Sequence, residues 1–105
     1  MRNLNFKVSG QKLSKEGDFD HIVVGSKSYL KACFAFDSEW QGLAKVAVFT
    51  SSIGDIVPAK INAEGSCIVP DEVTDGEYIS IRVVGKSLTG QLITSNSVSF
   101  LQSSK

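Results

Sequence analysis

The sequence predicts an all-β domain, a sandwich or barrel of about seven short strands. Three observations lead there. Apolar and polar residues alternate with a period of two in a series of short runs, the pattern of strands with one buried face. Turn-forming clusters of Gly, Pro, Asn, Asp and Ser interrupt these runs roughly every 8–12 residues. No long stretch carries apolar residues at helical spacing. With 105 residues the chain makes one domain, residues 1–105, large enough to bury a core without metals or disulfides. No internal repeat is visible at any fixed period, which argues against a solenoid or propeller.

Leu4-Asn5-Phe6-Lys7-Val8 alternates cleanly and predicts the first strand, broken at Gly10. Gln11 to Gly17 is polar and reads as a loop. His21-Ile22-Val23-Val24 is a short apolar run closed by Gly25-Ser26, suited to a brief edge strand. Tyr29 to Phe49 is the strongest segment. Leu30, Ala32, Phe34 and Phe36 share one parity, while Lys31, Cys33 and Ala35 take the other. Further on, Val46 and Val48 alternate with Lys45, Ala47 and Phe49. The pattern predicts two paired strands with a strongly buried face, joined by the polar turn Asp37-Ser38-Glu39-Trp40-Gln41-Gly42. Phe34, mid-strand among apolar residues of its own parity, is expected between the sheets.

Thr50 to Asp55 is a turn cluster, and Ile56 to Ile61 is extended. Pro58 cannot donate a ladder hydrogen bond, so this strand belongs at an edge or a bulge. Asn62-Ala63-Glu64-Gly65 turns the chain again, and Ser66 to Val69 is a short strand stopped by Pro70. Asp71, Glu72, Asp75 and Glu77 crowd the next stretch, which is expected to be a solvated connection. Glu77 to Val84 then sets Ile79, Ile81 and Val83 on one face, with Tyr78, Ser80, Arg82 and Val84 on the other. Ile81 is a second expected core residue. Gly85 to Gly90 turns, and Leu92 to Leu101 forms the last strand, with a bulge or kink at Ser95-Asn96-Ser97.

Eleven basic and eleven acidic residues cancel, so no bulk field draws the chain to nucleic acid or to an anionic membrane. No run approaches the roughly 18 apolar residues of a membrane-spanning helix. The opening MRNLNFKVSG lacks the apolar core of a signal peptide, so a cytosolic origin is expected. Cys33 and Cys67 suit neither a disulfide framework nor a four-ligand zinc site, and both are expected to be buried free thiols, small hydrophobes of the core.

No motif fixes a catalytic centre, and no cofactor is expected. Asp18, Asp20 and His21 offer two carboxylates and an imidazole, but contiguous in sequence and without further ligands they read as a solvated loop. The serines have no G-x-S-x-G elbow to expose a nucleophile. Gly85-Lys86-Ser87 ends like a phosphate-binding loop, but Ser80 stands where the first glycine belongs and no helix follows. Trp40 has two readings: a core residue plugging one end of the domain, or an exposed ring stacking on a sugar or protein partner.

Asp75-Gly76-Glu77-Tyr78-Ile79-Ser80 resembles the sixth strand of immunoglobulin domains, where D-x-G-x-Y-x-C sets a tyrosine two residues before a cysteine. The spacing here is one residue tighter, and Ser80 takes the cysteine position. The resemblance implies an immunoglobulin-like β-sandwich of about seven antiparallel strands, held by its apolar core rather than by an inter-sheet disulfide. In that order Cys33 and Cys67 fall on the second and fifth strands, neighbours in one sheet.

A wider resemblance runs over residues 4–101. Tyr29-Leu30-Lys31-Ala32, Phe34, Trp40 and Lys45-Val46-Ala47-Val48-Phe49 are followed by Cys67-Ile68-Val69-Pro70-Asp71-Glu72-Val73, the Gly76 to Gly85 strand, and Ile93-Thr94-Ser95-Asn96. This order is similar to the small immunoglobulin-like modules of phage and prophage structural proteins of Gram-positive bacteria, such as those that open upper baseplate and tail proteins. The resemblance implies a non-enzymatic assembly or attachment module of a virion, built in the bacterial cytoplasm. It implies other structural proteins of the particle as partners, a second copy of the chain among them. In baseplate proteins such a module leads into a longer region; this chain reads as a stand-alone small virion protein or as one domain of a larger one. The alternative is a carbohydrate-binding module contacting the host cell wall, with Trp40 as its stacking residue.

Overall fold

In the computed structural model, which describes residues 1–104, the alternating runs become strands with one buried face. The order is β1 (Arg2–Ser9), β2 (Lys12–Glu16), β3 (Leu30–Phe36), a 3-10 helix (Ser38–Trp40), β4 (Ala44–Ser51), β5 (Ile56–Lys60) and β6 (Ser66–Ile68). A second 3-10 helix (Asp71–Val73), β7 (Tyr78–Lys86), β8 (Leu92–Thr94) and β9 (Val98–Leu101) complete it. Two sheets pack face to face, one ordered β2-β1-β3-β6 and the other β5-β4-β7-β8, with β9 also on β7. The chain is an all-β sandwich.

Leu4, Phe6 and Val8 of β1 and Leu30, Ala32 and Phe34 of β3 point inward from the first sheet. Ala47 and Phe49 of β4 and Ile79, Ile81 and Val83 of β7 point inward from the second. Phe34 is 7% exposed and Ile81 fully enclosed, as their parity predicts. Phe6 stacks on Phe34 with centroids 5.2 Å apart and meets Phe19 edge-on at 5.3 Å, and Phe19 reaches Phe100 at 5.4 Å. Each such side chain contributes about 1.5–3 kcal/mol on full burial, so this interior holds the layers together without a covalent bridge.

Four features differ from the sequence reading. The described residues form nine strands rather than about seven. One of the additional strands is β2, where a loop is expected: its backbone pairs with β1, but Leu13 is its only buried apolar side chain, too little for a periodic pattern. Second, β3 and β4 do not pair; they lie in opposite sheets and face each other across the core, and the Asp37 to Leu43 connection crosses between layers. Alternation marks a buried face but not whether its neighbour lies beside it or opposite. Third, β1 runs parallel to β3, Arg2 beside Leu30 and Val8 beside Phe36, whereas every other strand pair is antiparallel. This direction follows from the extra hairpin strand β2. Fourth, Ile22 is buried but His21 to Val24 forms no strand, making only a single bridge from Val23 to Ser103.

The predicted kink in the last strand is a hydrogen-bonded device. Ser95 Oγ accepts from the Val83 N–H at 3.0 Å, while the Ser95 N–H donates to the Val83 carbonyl at 2.9 Å. The strand divides there, β8 pairing with one half of β7 and β9 with the other.

The same kink closes one side of the sandwich. The Asn96 carboxamide accepts from the Leu13 N–H at 2.7 Å and donates to the Leu13 carbonyl at 3.2 Å, so a side chain pairs with the free edge of β2 as a strand would. The Asn96 N–H donates to the Gln11 carbonyl at 3.1 Å, and Lys15 Nζ donates to the Ser99 carbonyl at 2.8 Å. Edge groups that would otherwise recruit another strand are satisfied within the chain. On the opposite side β5 ends its sheet as predicted, with Pro58 facing Val48.

Candidate functional site

The strand crossing between layers centres on Trp40. Asp37 caps the 3-10 helix: its Oδ1 accepts from the Glu39 N–H at 3.0 Å and its Oδ2 from the Gly10 N–H at 2.7 Å. The Gly10 carbonyl accepts from Trp40 Nε1 at 2.8 Å. Both backbone groups of Gly10, in the β1–β2 turn, are thus held by side chains from the crossing segment. Gly10 has φ of 57°, a left-handed conformation that glycine adopts without strain. The indole is fully buried, 5.2 Å from Phe36 by centroid and packed directly on Gly85.

Trp40 is therefore the plug and not a surface ring. A buried indole cannot stack on a sugar, so the glycan-binding alternative loses the residue on which it rests. Gly85 of the Gly85-Lys86-Ser87 sequence lies within β7 and makes room for Trp40; it does not open a phosphate loop. A cleft of about 360 Å³ beside the plug is lined by Phe36, Trp40, Lys45, Lys60 and Asn62 among others. Asp37 also borders it, with both oxygens already engaged by backbone donors. Lys45 Nζ sits 5.3 Å over the Phe36 ring and donates to the Leu43 carbonyl at 3.2 Å. The polar groups at this end serve the loop's own architecture.

The acidic stretch is partly structural. Glu72, Asp75 and Glu77 are exposed, but Val73, Thr74 and Gly76 are buried, and Asp71 Oδ1 accepts from the Ser28 N–H at 2.7 Å. Lys27 Nζ bonds to Asp75 at 3.0 Å, to Thr74 Oγ1 at 2.9 Å and to the Asp71 carbonyl at 2.9 Å. Gln102, buried beside this stretch, donates through Nε2 to the Thr74 and Gly76 carbonyls, while its Oε1 is buried without a partner. Asp18, Asp20 and His21 are exposed, and among the described residues no group of three or more His, Cys, Asp or Glu could hold a metal ion. No helix of the described residues is long and apolar enough to cross a membrane.

Both cysteines are free. β3 and β6 are neighbours, with Cys67 opposite Ala32 and Cys33 opposite Ser66. Directly opposed residues share a face, so Cys67 points into the core as expected, whereas Cys33, expected there too, lies on the other parity of β3 and points outward, half-buried. A bridge would need the backbone to turn over. Burial, and after it the neighbouring Cys33, push the Cys67 thiol up from 9.0 to about 12, which keeps it protonated and unreactive. The immunoglobulin-type sixth-strand match is also out of phase. Tyr78 and Ser80 point outward while Ile79 and Ile81 fill the core, so Ser80 does not mark an inter-sheet position.

The outward faces of the two sheets differ sharply. The first presents Asn3, Asn5, Lys7, Lys12, Ser14, Glu16 and Lys31, with Cys33, Ala35 and Ile68 among them, a mostly polar mixture. On the second, pairing sets out successive rows: Ile56, Thr50 and Ser80; Pro58, Val48 and Arg82; Lys60, Val46, Val84 and Thr94; and Ala44, Lys86 and Leu92. Ile56 is 67% and Leu92 62% exposed. The charged residues at the outward positions of these strands are Lys60, Arg82 and Lys86, and none is a carboxylate. Sequence reasoning missed this face. Its trace was β4 itself, apolar on both parities through Val46 and Val48 as well as Ala47 and Phe49.

Comparison with protein-family models, with curated proteins and with solved structures finds no match.

Proposed function

We propose that this chain is a non-enzymatic immunoglobulin-like module that makes assembly or attachment contacts in a phage or prophage particle, in a tail, baseplate or other part of the virion. The observation that carries the reading is how the strands divide. β1, β3 and β6 share one layer, and β5, β4, β7 and β8–β9 the other, a division that parallels the A-B-E and C′-C-F-G layers of immunoglobulin-like sandwiches. The hairpin strand β2 and the parallel β1–β3 pair depart from that plan. Support for the phage setting comes from the order of the segments between Tyr29 and Asn96, which resembles that of virion modules. The partners in this reading are other structural proteins of the particle, and the site of assembly is the bacterial cytoplasm.

The test is mass spectrometry of particles purified by density gradient from an induced culture carrying the gene. The chain is expected at a fixed copy number per particle, resistant to washing. Its absence from intact, infectious particles overturns the reading.

A further inference from the structure

We propose that the outward face of the β5-β4-β7-β8 sheet is the docking surface of this module, and that it takes a partner protein whose contact face is apolar and bordered by carboxylates. The inference rests on the assembly-module reading and names the surface that reading requires.

The face has the composition of an interface centre. Val46, Val48 and Val84 form an apolar middle, extended by Ile56 and Pro58 on one flank and Leu92 on the other. Contiguous apolar patches with a polar rim mark interaction sites on soluble domains. Solubility does not require this arrangement, because on the first sheet the same chain covers an outward face mostly with polar side chains, Ile68 being its one large apolar residue.

Charge selects the occupant. The formal net charge is zero, yet Lys60, Arg82 and Lys86 gather here without an opposing carboxylate. A two-fold contact with a second copy through this face would set these cations against their own equivalents, and like charges brought together across an interface are strongly disfavoured. Nucleic acid fits poorly: its bases seek aromatic platforms, and the middle of the face is valine. Three cations also fall short of the four to eight, roughly, that hold a polybasic surface on anionic lipid. A protein surface carrying Asp or Glu around an apolar strip satisfies both the valines and the cations.

The test uses the whole chain and two synthetic β-hairpin peptides, one alternating Val with Glu and the other Val with Lys, titrated by amide NMR. The Val–Glu hairpin is expected to shift the resonances of Val46, Val48, Arg82 and Val84 and to saturate. The Lys60→Glu/Arg82→Glu variant should weaken it about tenfold or more and reverse the preference toward the Val–Lys hairpin. Both positions are exposed, so the fold should survive; Lys60→Gln/Arg82→Gln provides a second variant with a smaller loss. Equal binding of the two hairpins, shifts confined to other surfaces, no saturation, association with anionic vesicles that the charge reversals abolish, or self-association through this face overturns the proposal. Particle incorporation separates the two readings. A charge-reversed chain that enters particles as well as wild type sinks the docking surface and leaves the virion role standing. Selective hairpin binding by a chain absent from particles does the opposite.

Discussion

The Trp40 indole packs directly on the backbone of Gly85: a Cβ at position 85 would lie 2.8 Å from the indole Cζ3. The 3-10 helix carrying Trp40 and the strand carrying Gly85 are far apart in sequence, and their contact seals the end where the chain crosses between layers. The indole N–H meanwhile reaches the Gly10 carbonyl, so one side chain ties β7, the β1–β2 turn and the crossing segment together.

Gly85→Ala is therefore expected to destabilise the domain by about 1–3 kcal/mol, the usual cost of forcing a methyl group into a filled site. Denaturant unfolding followed by tryptophan fluorescence measures it, and native emission should move to the red as the indole is displaced. In a Trp40→Phe background the smaller ring should relieve the clash, so the two changes combine less than additively. Additive losses would mean that the contact is not what limits position 85.

Asn96→Ala removes both hydrogen bonds to the backbone of Leu13. Leaving those edge groups unpaired should cost about 1–3 kcal/mol, with a fall in Tm of roughly 4–8 °C for each kcal/mol. Amide exchange at Leu13 should accelerate more than exchange in the β4–β7 ladder. Asn96→Asp keeps the acceptor but sets a carboxylate against the Leu13 carbonyl, and should rescue little. Unchanged exchange at Leu13 would show that the latch does not hold β2.

The Cys67 thiol ionises near 9.0 when exposed and near 12 in the fold. A neutral group that resists ionisation in the folded state contributes stability fully below the unfolded value, and loses it as pH rises, because only the unfolded chain gains by releasing the proton. Wild type should accordingly lose part of its stability relative to Cys67→Ala between pH 9.0 and about 12. Parallel stability curves across that window would contradict the buried thiol. Alkylation in denaturant without reductant should modify both cysteines.

What the sequence reveals is the inward parity of strands that carry several large apolar side chains. Phe34 and Ile81 are legible because their neighbours two residues away are apolar as well. Leu13 is not, since it is the only buried apolar residue in its strand and the backbone does the rest. Adjacent and facing strands share the same alternation, so β3 and β4 read as a pair although the core lies between them. The Asp75 to Ser80 segment shows that motif letters can match while parity opposes them: Tyr78 and Ser80 turn out, and the flanking isoleucines turn in. Of the candidate surface, only the two-sided apolarity of β4 is visible in one dimension. The cations enter it from β5 and β7, through pairings that only the fold supplies.

The Asn96–Leu13 latch joins positions 83 residues apart and has a consequence for the order of folding. β1 finds its parallel partner only once β3 exists, and β2 gains its second edge only when the kink before β9 arrives. Contacts so distant in sequence exact their loop-closure entropy before they return any energy, which places folding of this chain on the millisecond-to-second scale of non-local β topologies. On the ribosome the two layers can begin to gather as β4 and β7 emerge, but the seam between them stays unlatched until nearly the whole domain has left the exit tunnel. The outer edge at Leu13 is thus protected late, and until Asn96 arrives the nascent chain is open to pairing with a neighbour there.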